Sequence, residues 1–307
     1  MRYTQLTVPA IALIAGAAVA GPSGFILGID SDSDQVLLLN GFDGSVINNS
    51  FLDIASAASA AGTSATPIEV IEVGNEFWVS DQIADRVWRF GQNGSFIGDI
   101  GAGQLNNIRG MHQVGDTVYV AMGSDSDSLG EGIITIDANS ATITGQFNGR
   151  DPGDTSYWDI TSVGNELLIT NSDTGNDGIE RYSLAGDYLG NLVSSDGTTG
   201  IDFPQQMFIR DNGNILVGGF STPSGVFEFA ADGTDLGIVA AMDLGPRAAI
   251  DLGNGEILWS NGNFLATDDR VILEGGSYRF FTATNVPAPA SLAMLGLGAL
   301  ASTRRRR

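Results

Sequence analysis

The sequence predicts an all-β fold, a β-propeller of six blades, each a four-stranded antiparallel sheet. Two observations carry this. Residues 67–100, PIEVIEVGNEFWVSDQIADRVWRFGQNGSFIGDI, divide into four short runs of valine, isoleucine and aromatic residues separated by turn residues. The same plan then recurs, with central turn glycines at Gly74, Gly115, Gly164, Gly213 and Gly255, spaced by 41, 49, 49 and 42 residues. Four strands per such period make a blade-sized unit. Blades set radially bury both faces against their neighbours, which a lone sheet cannot do.

In the clearest unit, strands are expected over 69–73, 76–80, 86–90 and 95–100, with tight turns at Gly74-Asn75 and Gln92-Asn93-Gly94. Further units begin at Ile108, Tyr157, Pro204 and Pro246. The last is read as PRAAIDLGNGEILWSNG followed by RVILEGGSYRFFTA, two strands and then two more. Near the start, GFILGIDSDSDQVLLLNGFDGSVINN supplies three strands and no innermost one. The ring is therefore either six full blades or five and a partial blade closed by strands from both termini. No stretch has long helical periodicity, and no linker separates subdomains.

The chain has three parts. Residues 1–20 place Arg2 before an apolar run ending in Ala18-Val19-Ala20, the pattern of a secretory signal peptide. Residues 21–285 form the propeller. Residues 286–307, VPAPASLAMLGLGALASTRRRR, join a proline pair, an apolar run of 14 residues and four arginines. That run is short for a spanning helix, and the arginines cannot be buried in a core. It reads as a stop signal in transient membrane contact, its basic end held on the cytoplasmic side.

Net charge is −22, from 36 acids against 14 arginines and no lysine. The two ends hold no acid and five arginines, so residues 21–285 carry −27. Such a surface repels nucleic acid and suits divalent cations or cationic partners. There is no cysteine, hence no disulfide framework.

In a propeller the loops from second to third strand share a face with the start of each innermost strand. Here those loops are acidic: Asp30, Asp32 and Asp34; Asp81 to Asp85; Asp125 and Asp127; Asp173 and Asp177; and, in the sixth unit, Asp268 and Asp269. Oxygen ligands at alternate positions make calcium the cofactor to consider, although the local motifs are incomplete. Solvated turn aspartates are the plainer reading. Register places Glu69, Arg109, Asp159, Gln205 or Gln206, and Arg247 near the starts of successive innermost strands, around the channel mouth. His112, the only histidine, falls in one of these strands, where it serves either as a base or as a structural residue. Trp78, Trp88, Trp158 and Trp259 are expected to pack between blades, with Trp158 also placed to stack on a sugar.

Two resemblances follow. The stretch GNEFWVSD…DRVWRFGQNGSFIGDIG is similar to the NHL-type repeat of six-bladed propellers, well over 67–101 and partly over 204–240. The ending, with Pro287, Pro289 and the basic terminus Arg304, Arg305, Arg306 and Arg307, resembles the PEP-CTERM sorting signal of Gram-negative bacteria. Alanine stands where that signal usually has glutamate. The resemblance implies export, recognition by exosortase-type machinery, and association with the cell envelope or exopolysaccharide matrix, with polysaccharide or surface proteins as partners. The function expected is a ligand-binding or scaffold propeller without a catalytic set. A lactonase-like hydrolase or lyase with its site at the channel mouth is the alternative.

Overall fold

Val36-Leu37-Leu38-Leu39 is apolar at every position because both faces of its sheet are covered. Side chains alternate across a strand, so Val36 and Leu38 pack toward one neighbouring blade and Leu37 and Leu39 toward the other. A computed structural model describes residues 24–123, 132–147, 156–173, 175–195, 198 and 200–284, and the same logic runs through it.

Six four-stranded antiparallel sheets form a ring. The first blade contains β1 (Phe25–Asp30), β2 (Gln35–Asn40) and β3 (Val46–Asp53). The second is β4 (Pro67–Val73), β5 (Glu76–Asp81), β6 (Arg86–Gly91) and β7 (Phe96–Ile100). The third is β8 (Ile108–Val114), β9 (Thr117–Met122), β10 (Gly132–Asp137) and β11 (Thr142–Phe147). The fourth is β12 (Tyr157–Val163), β13 (Glu166–Asn171), β14 (Gly178–Ser183) and β15 (Tyr188–Ser194). The fifth is β16 (Pro204–Ile209), β17 (Ile215–Gly219), β18 (Gly225–Phe229) and β19 (Asp235–Ala240). The sixth is β20 (Ala248–Asp251), β21 (Ile257–Ser260), β22 (Phe264–Ala266) and β23 (Val271–Glu274).

The last strand, β24 (Tyr278–Thr284), leaves the sixth blade and pairs antiparallel with β1, as the innermost strand of the first. This decides between the two closures: the blades are six and complete, and the first is built from both ends of the chain. It also corrects the reading of RVILEGGSYRFFTA as two strands of one blade. Only Val271–Glu274 stays in the sixth; Tyr278–Thr284 closes the ring. The third strand of the sixth blade is Phe264–Ala266, within the stretch read as a loop, so Asp268 and Asp269 follow that strand instead of preceding it.

Six buried apolar clusters hold the ring, one at each seam between blades. All four tryptophans belong to them. The turn glycines do what their positions suggest: Gly74 at φ 60° opens a two-residue hairpin between Val73 and Glu76, a geometry that suits glycine. One eight-residue helix, α1 (Ile54–Ala61), links the first blade to the second. Asp53 caps it by accepting from Ser56 N–H, and Gly62 ends it at φ 70°. The helix was not expected from periodicity, since two turns of Ile-Ala-Ser-Ala carry little of it. Residues 1–20 and 286–307 lie outside the described residues.

Candidate ligand site at the mouth of the central channel

The innermost strands β24, β4, β8, β12, β16 and β20 surround the axis. Pairing in β4, β8, β12, β16 and β24 slips at the second or third residue. A bulge of this kind re-aims side chains that a regular strand would alternate. It yields two layers near the mouth. The rim consists of the second residues Ile68, Arg109, Trp158, Gln205 and Arg279, together with Arg247, which leads into β20. The floor, one residue deeper, contains Glu69, Asp159 and Gln206.

The floor is a closed set of clamps between blades. Glu69 Oε2 accepts a short hydrogen bond from Met111 N–H of β8, and Asp159 Oδ2 accepts from Met207 N–H of β16 at 2.7 Å. Gln206 donates from Nε2 to Phe281 C=O at 2.7 Å and accepts at Oε1 from Phe281 N–H at 2.8 Å. Its Nε2 also reaches Glu69 Oε1 at 3.4 Å, joining the second and fifth blades across the axis. Both carboxyls are fully buried with no cation beside them. Burial pushes Asp159 up to about 7. Burial, and then the charge of Asp159, push Glu69 well above the usual carboxylate range. Gly110 lets these blades approach: a Cβ there would lie 2.6 Å from Asp159 Cα and from Trp158 O.

The rim differs in kind. Among the described residues five buried side-chain polar atoms have no hydrogen-bond partner, and four are in the rim: Arg109 Nε, Trp158 Nε1, Gln205 Oε1 and Arg247 Nε. Arg109 is only 6% exposed. Its guanidinium lies 3.9 Å from the Trp158 ring centroid, and its NH1 donates to Ser156 Oγ and Tyr157 C=O. Gly123 makes room for it, since a Cβ there would strike the guanidinium. Burial without a compensating acid pulls Arg109 down to about 9. Arg247 is also lowered by burial, with the charge of Asp32 opposing, and stands over Phe220. Arg279 donates from Nε to Ser31 Oγ in the β1–β2 turn at 2.9 Å.

Two comparisons within the molecule set the rim apart. Of the eight arginines among the described residues, Arg86, Arg89, Arg181, Arg210 and Arg270 make ion pairs. Arg109, Arg247 and Arg279 make none, and all three are rim residues. Likewise Trp78, Trp88 and Trp259 donate their indole N–H to Glu76, Asp81 and Asp268. Trp158 alone among the four has no such acceptor. Arg109 covers one face of its ring.

The sequence-derived candidates thus separate. Glu69, Asp159 and Gln206 come together, with Arg109 and Arg247 one layer above. His112 lies further along β8, bonded to Ser162 Oγ at 2.9 Å, and burial lowers its pKa. It lines a separate groove of about 440 Å³ with Glu72, Gln113 and Thr284. Arg279 and the unpartnered atoms of Gln205 and Trp158 were missed. Their signal was the shared register one position before Glu69, Asp159 and Gln206.

The acidic loops are mostly tied to backbone. Asp30, Asp81 and Asn171 each end a second strand and accept from the residue leading into their own innermost strand: Ser277, Thr66 and Ser156. Asp85 and Asp177 accept from Asn107 and Phe203, which lead into the next blade. Asp173 Oδ2 meets Asn176, while Asp34 Oδ1 is the fifth unpartnered atom. Burial first, then the charges of Asp81, Asp30 and Asp32, push Asp34 up to about 6. Among the described residues no three acidic or histidine side chains gather as a metal-binding group. Asp125 and Asp127 lie outside those residues, as do Pro287, Pro289, Arg304, Arg305, Arg306 and Arg307.

Residues 285–307 match the model of the PEP-CTERM protein-sorting motif. The chain carries a PEP-CTERM sorting signal. A PEP-CTERM ending indicates an exported protein of the cell envelope, and handling by exosortase-type machinery follows from it. No curated protein matches the chain in sequence. Solved structures share the fold that precedes the PEP-CTERM segment. A propeller in a nidogen/laminin complex is 12% identical with a TM-score of 0.65, covering 85% of this chain and 98% of that one. Virginiamycin B lyase from Staphylococcus aureus is 13% identical with a TM-score of 0.54, covering 79% and 78%. A gluconolactonase from Xanthomonas campestris is 11% identical with a TM-score of 0.55, covering 80% and 89%.

Proposed function

We propose that this chain is an exported ligand-binding propeller of the Gram-negative envelope or its exopolysaccharide matrix, with its ligand at the channel mouth. One observation carries the reading. The polar side chains of the floor are engaged with protein partners, whereas those of the rim keep buried donors and an acceptor unmatched. An unmatched buried polar group costs about 1–3 kcal/mol, a cost that a bound ligand removes. In this reading residues 1–20 direct export, the tail from residue 286 serves sorting, and calcium has no assigned role.

The enzymatic alternative, a lactonase-like hydrolase or lyase, has less support. Glu69 and Asp159, the carboxylates a channel enzyme would use, each accept a backbone N–H from the next blade. His112 bonds Ser162, away from both. The relatives that are enzymes share the fold only.

The test is co-sedimentation of the full-length protein with envelope polysaccharide of the producing bacterium, comparing wild type with the double variant Arg109→Gln, Arg247→Gln. Capture by wild type and loss in the variant are expected, with circular dichroism at the assay temperature showing that the variant stays folded, since Arg109 is buried and hydrogen-bonded. Equal capture by both would remove the mouth from consideration. Deleting Arg304–Arg307 should alter surface retention or the processed mass; an unchanged distribution and mass would count against the sorting role.

A further inference from the structure

We infer that the rim binds the carboxylate of an acidic sugar, with a neighbouring ligand hydroxyl donated to Gln205. This rests on the reading of the mouth as a ligand site and names what the site selects.

The charge pattern is the first support. Residues 21–285 carry 36 acids and nine arginines, so an arginine without an acid is uncommon in this chain. Yet the three arginines that lack an ion pair among the described residues, Arg109, Arg247 and Arg279, occupy one structural position around one opening. A nine-tenths buried guanidinium is costly without a counter-charge, and its planar fork matches a carboxylate. Asp32 is the acid whose charge reaches Arg247, and it makes no ion pair there.

The indoles give the second support. Three of the four donate to carboxylates of this chain, and Trp158 has its N–H unmatched in the rim. A carboxylate brought by a ligand completes the same pairing.

Gln205 adds the selectivity. It belongs to the fifth blade, between Trp158 of the fourth and Arg247 of the sixth, and what it leaves unmatched is an acceptor, Oε1. A carboxylate cannot satisfy an acceptor; a hydroxyl can. The arc from Arg109 through Trp158 and Gln205 to Arg247 and Arg279 therefore asks for an anion with a hydroxyl beside it. A uronic or aldonic acid has both. Beneath the arc, burial favours the protonated form of Glu69, which limits opposing charge on the floor.

The experiment is calorimetric titration of the full-length protein with D-glucuronate, D-glucose and acetate, on wild type and on Arg247→Gln, Arg279→Gln and Gln205→Leu. Arg247 and Arg279 are only partly buried, so their variants should keep the wild-type melting temperature. Glucuronate is expected to bind at least tenfold tighter than glucose or acetate. Each arginine variant should lose at least tenfold in glucuronate affinity, and Gln205→Leu should narrow the gap to acetate. Glucose binding as tightly as glucuronate would overturn the carboxylate and leave a mouth site standing. Acetate, a carboxylate without a hydroxyl, binding as tightly would overturn the hydroxyl. If none of the three binds while polysaccharide capture still depends on Arg109 and Arg247, the acidic-sugar inference falls and the ligand site survives; if capture is also independent of them, both fall.

Discussion

Gln206 of β16 treats Phe281 of β24 as a strand neighbour would, its side-chain amide giving one hydrogen bond to the backbone C=O and taking one from the N–H, at 2.7 and 2.8 Å. The fifth blade thereby grips the strand that closes the first. Gln206→Ala leaves both backbone groups of Phe281 buried without these partners. A loss of about 3 kcal/mol is expected, read by urea denaturation. A loss below about 0.5 kcal/mol, the scale of an ordinary surface substitution, would mean that water replaces the amide without penalty.

Glu69 and Asp159 make stability depend on pH. Both carboxyls bind protons more readily in the fold than in the unfolded chain. Between the unfolded carboxylate range, about 4, and the folded Asp159 value of about 7, the native state holds the extra protons. Stability should therefore fall as pH rises through that window. Glu69→Gln removes one of the two charges, and the drop in melting temperature from pH 5.5 to pH 8 should be smaller in the variant. Identical drops would show that the pair does not govern the slope.

Gly110 is fixed by contact, not by conformation. The obstacles to a Cβ are the backbone of Trp158 and Asp159, which cannot rotate away. Gly110→Ala should cost about 3 kcal/mol by forcing β8 and β12 apart. Gly115→Ala provides the contrast, because a Cβ there meets nothing within 4 Å and its cost comes from a φ of 58°. Gly110→Ala should accordingly lower glucuronate affinity as well as stability, and Gly115→Ala stability alone.

Closure of the ring can be tested by length. A chain ending at Ser277 lacks β24 and exposes the inner edge of β1. It should lose cooperative unfolding and aggregate. A chain ending at Thr284 retains every described strand and should melt as the full-length protein does, by circular dichroism. Cooperative melting of the shorter chain would refute the role of β24.

Much of this molecule was legible in local pattern. Short apolar runs and the glycines at Gly74, Gly115 and Gly164 give strand number and turn position, because those are set by residues a few places apart. The destination of Tyr278–Thr284 was not legible. Its composition suits an outer strand of the sixth blade equally well, and only pairing with Phe25–Asp30, some 250 residues away in sequence, decides. Arg279 was lost with that strand. Glu69, Asp159 and Gln206 were placed correctly by register. Their engagement with backbone was hidden, because it depends on bulges that a strand pattern does not reveal.

The position of β24 has a mechanical consequence. Thr284 ends the strand nearest the axis, and the sorting motif starts at the very next residue. Tension on the tail is thus delivered lengthwise to β24, whose hydrogen bonds to β1 share the load together instead of peeling apart singly. The same strand leaves the ribosome last among the 24, so the ring locks only when its tether has been made. A protein held by its tail is held by the keystone of its own fold.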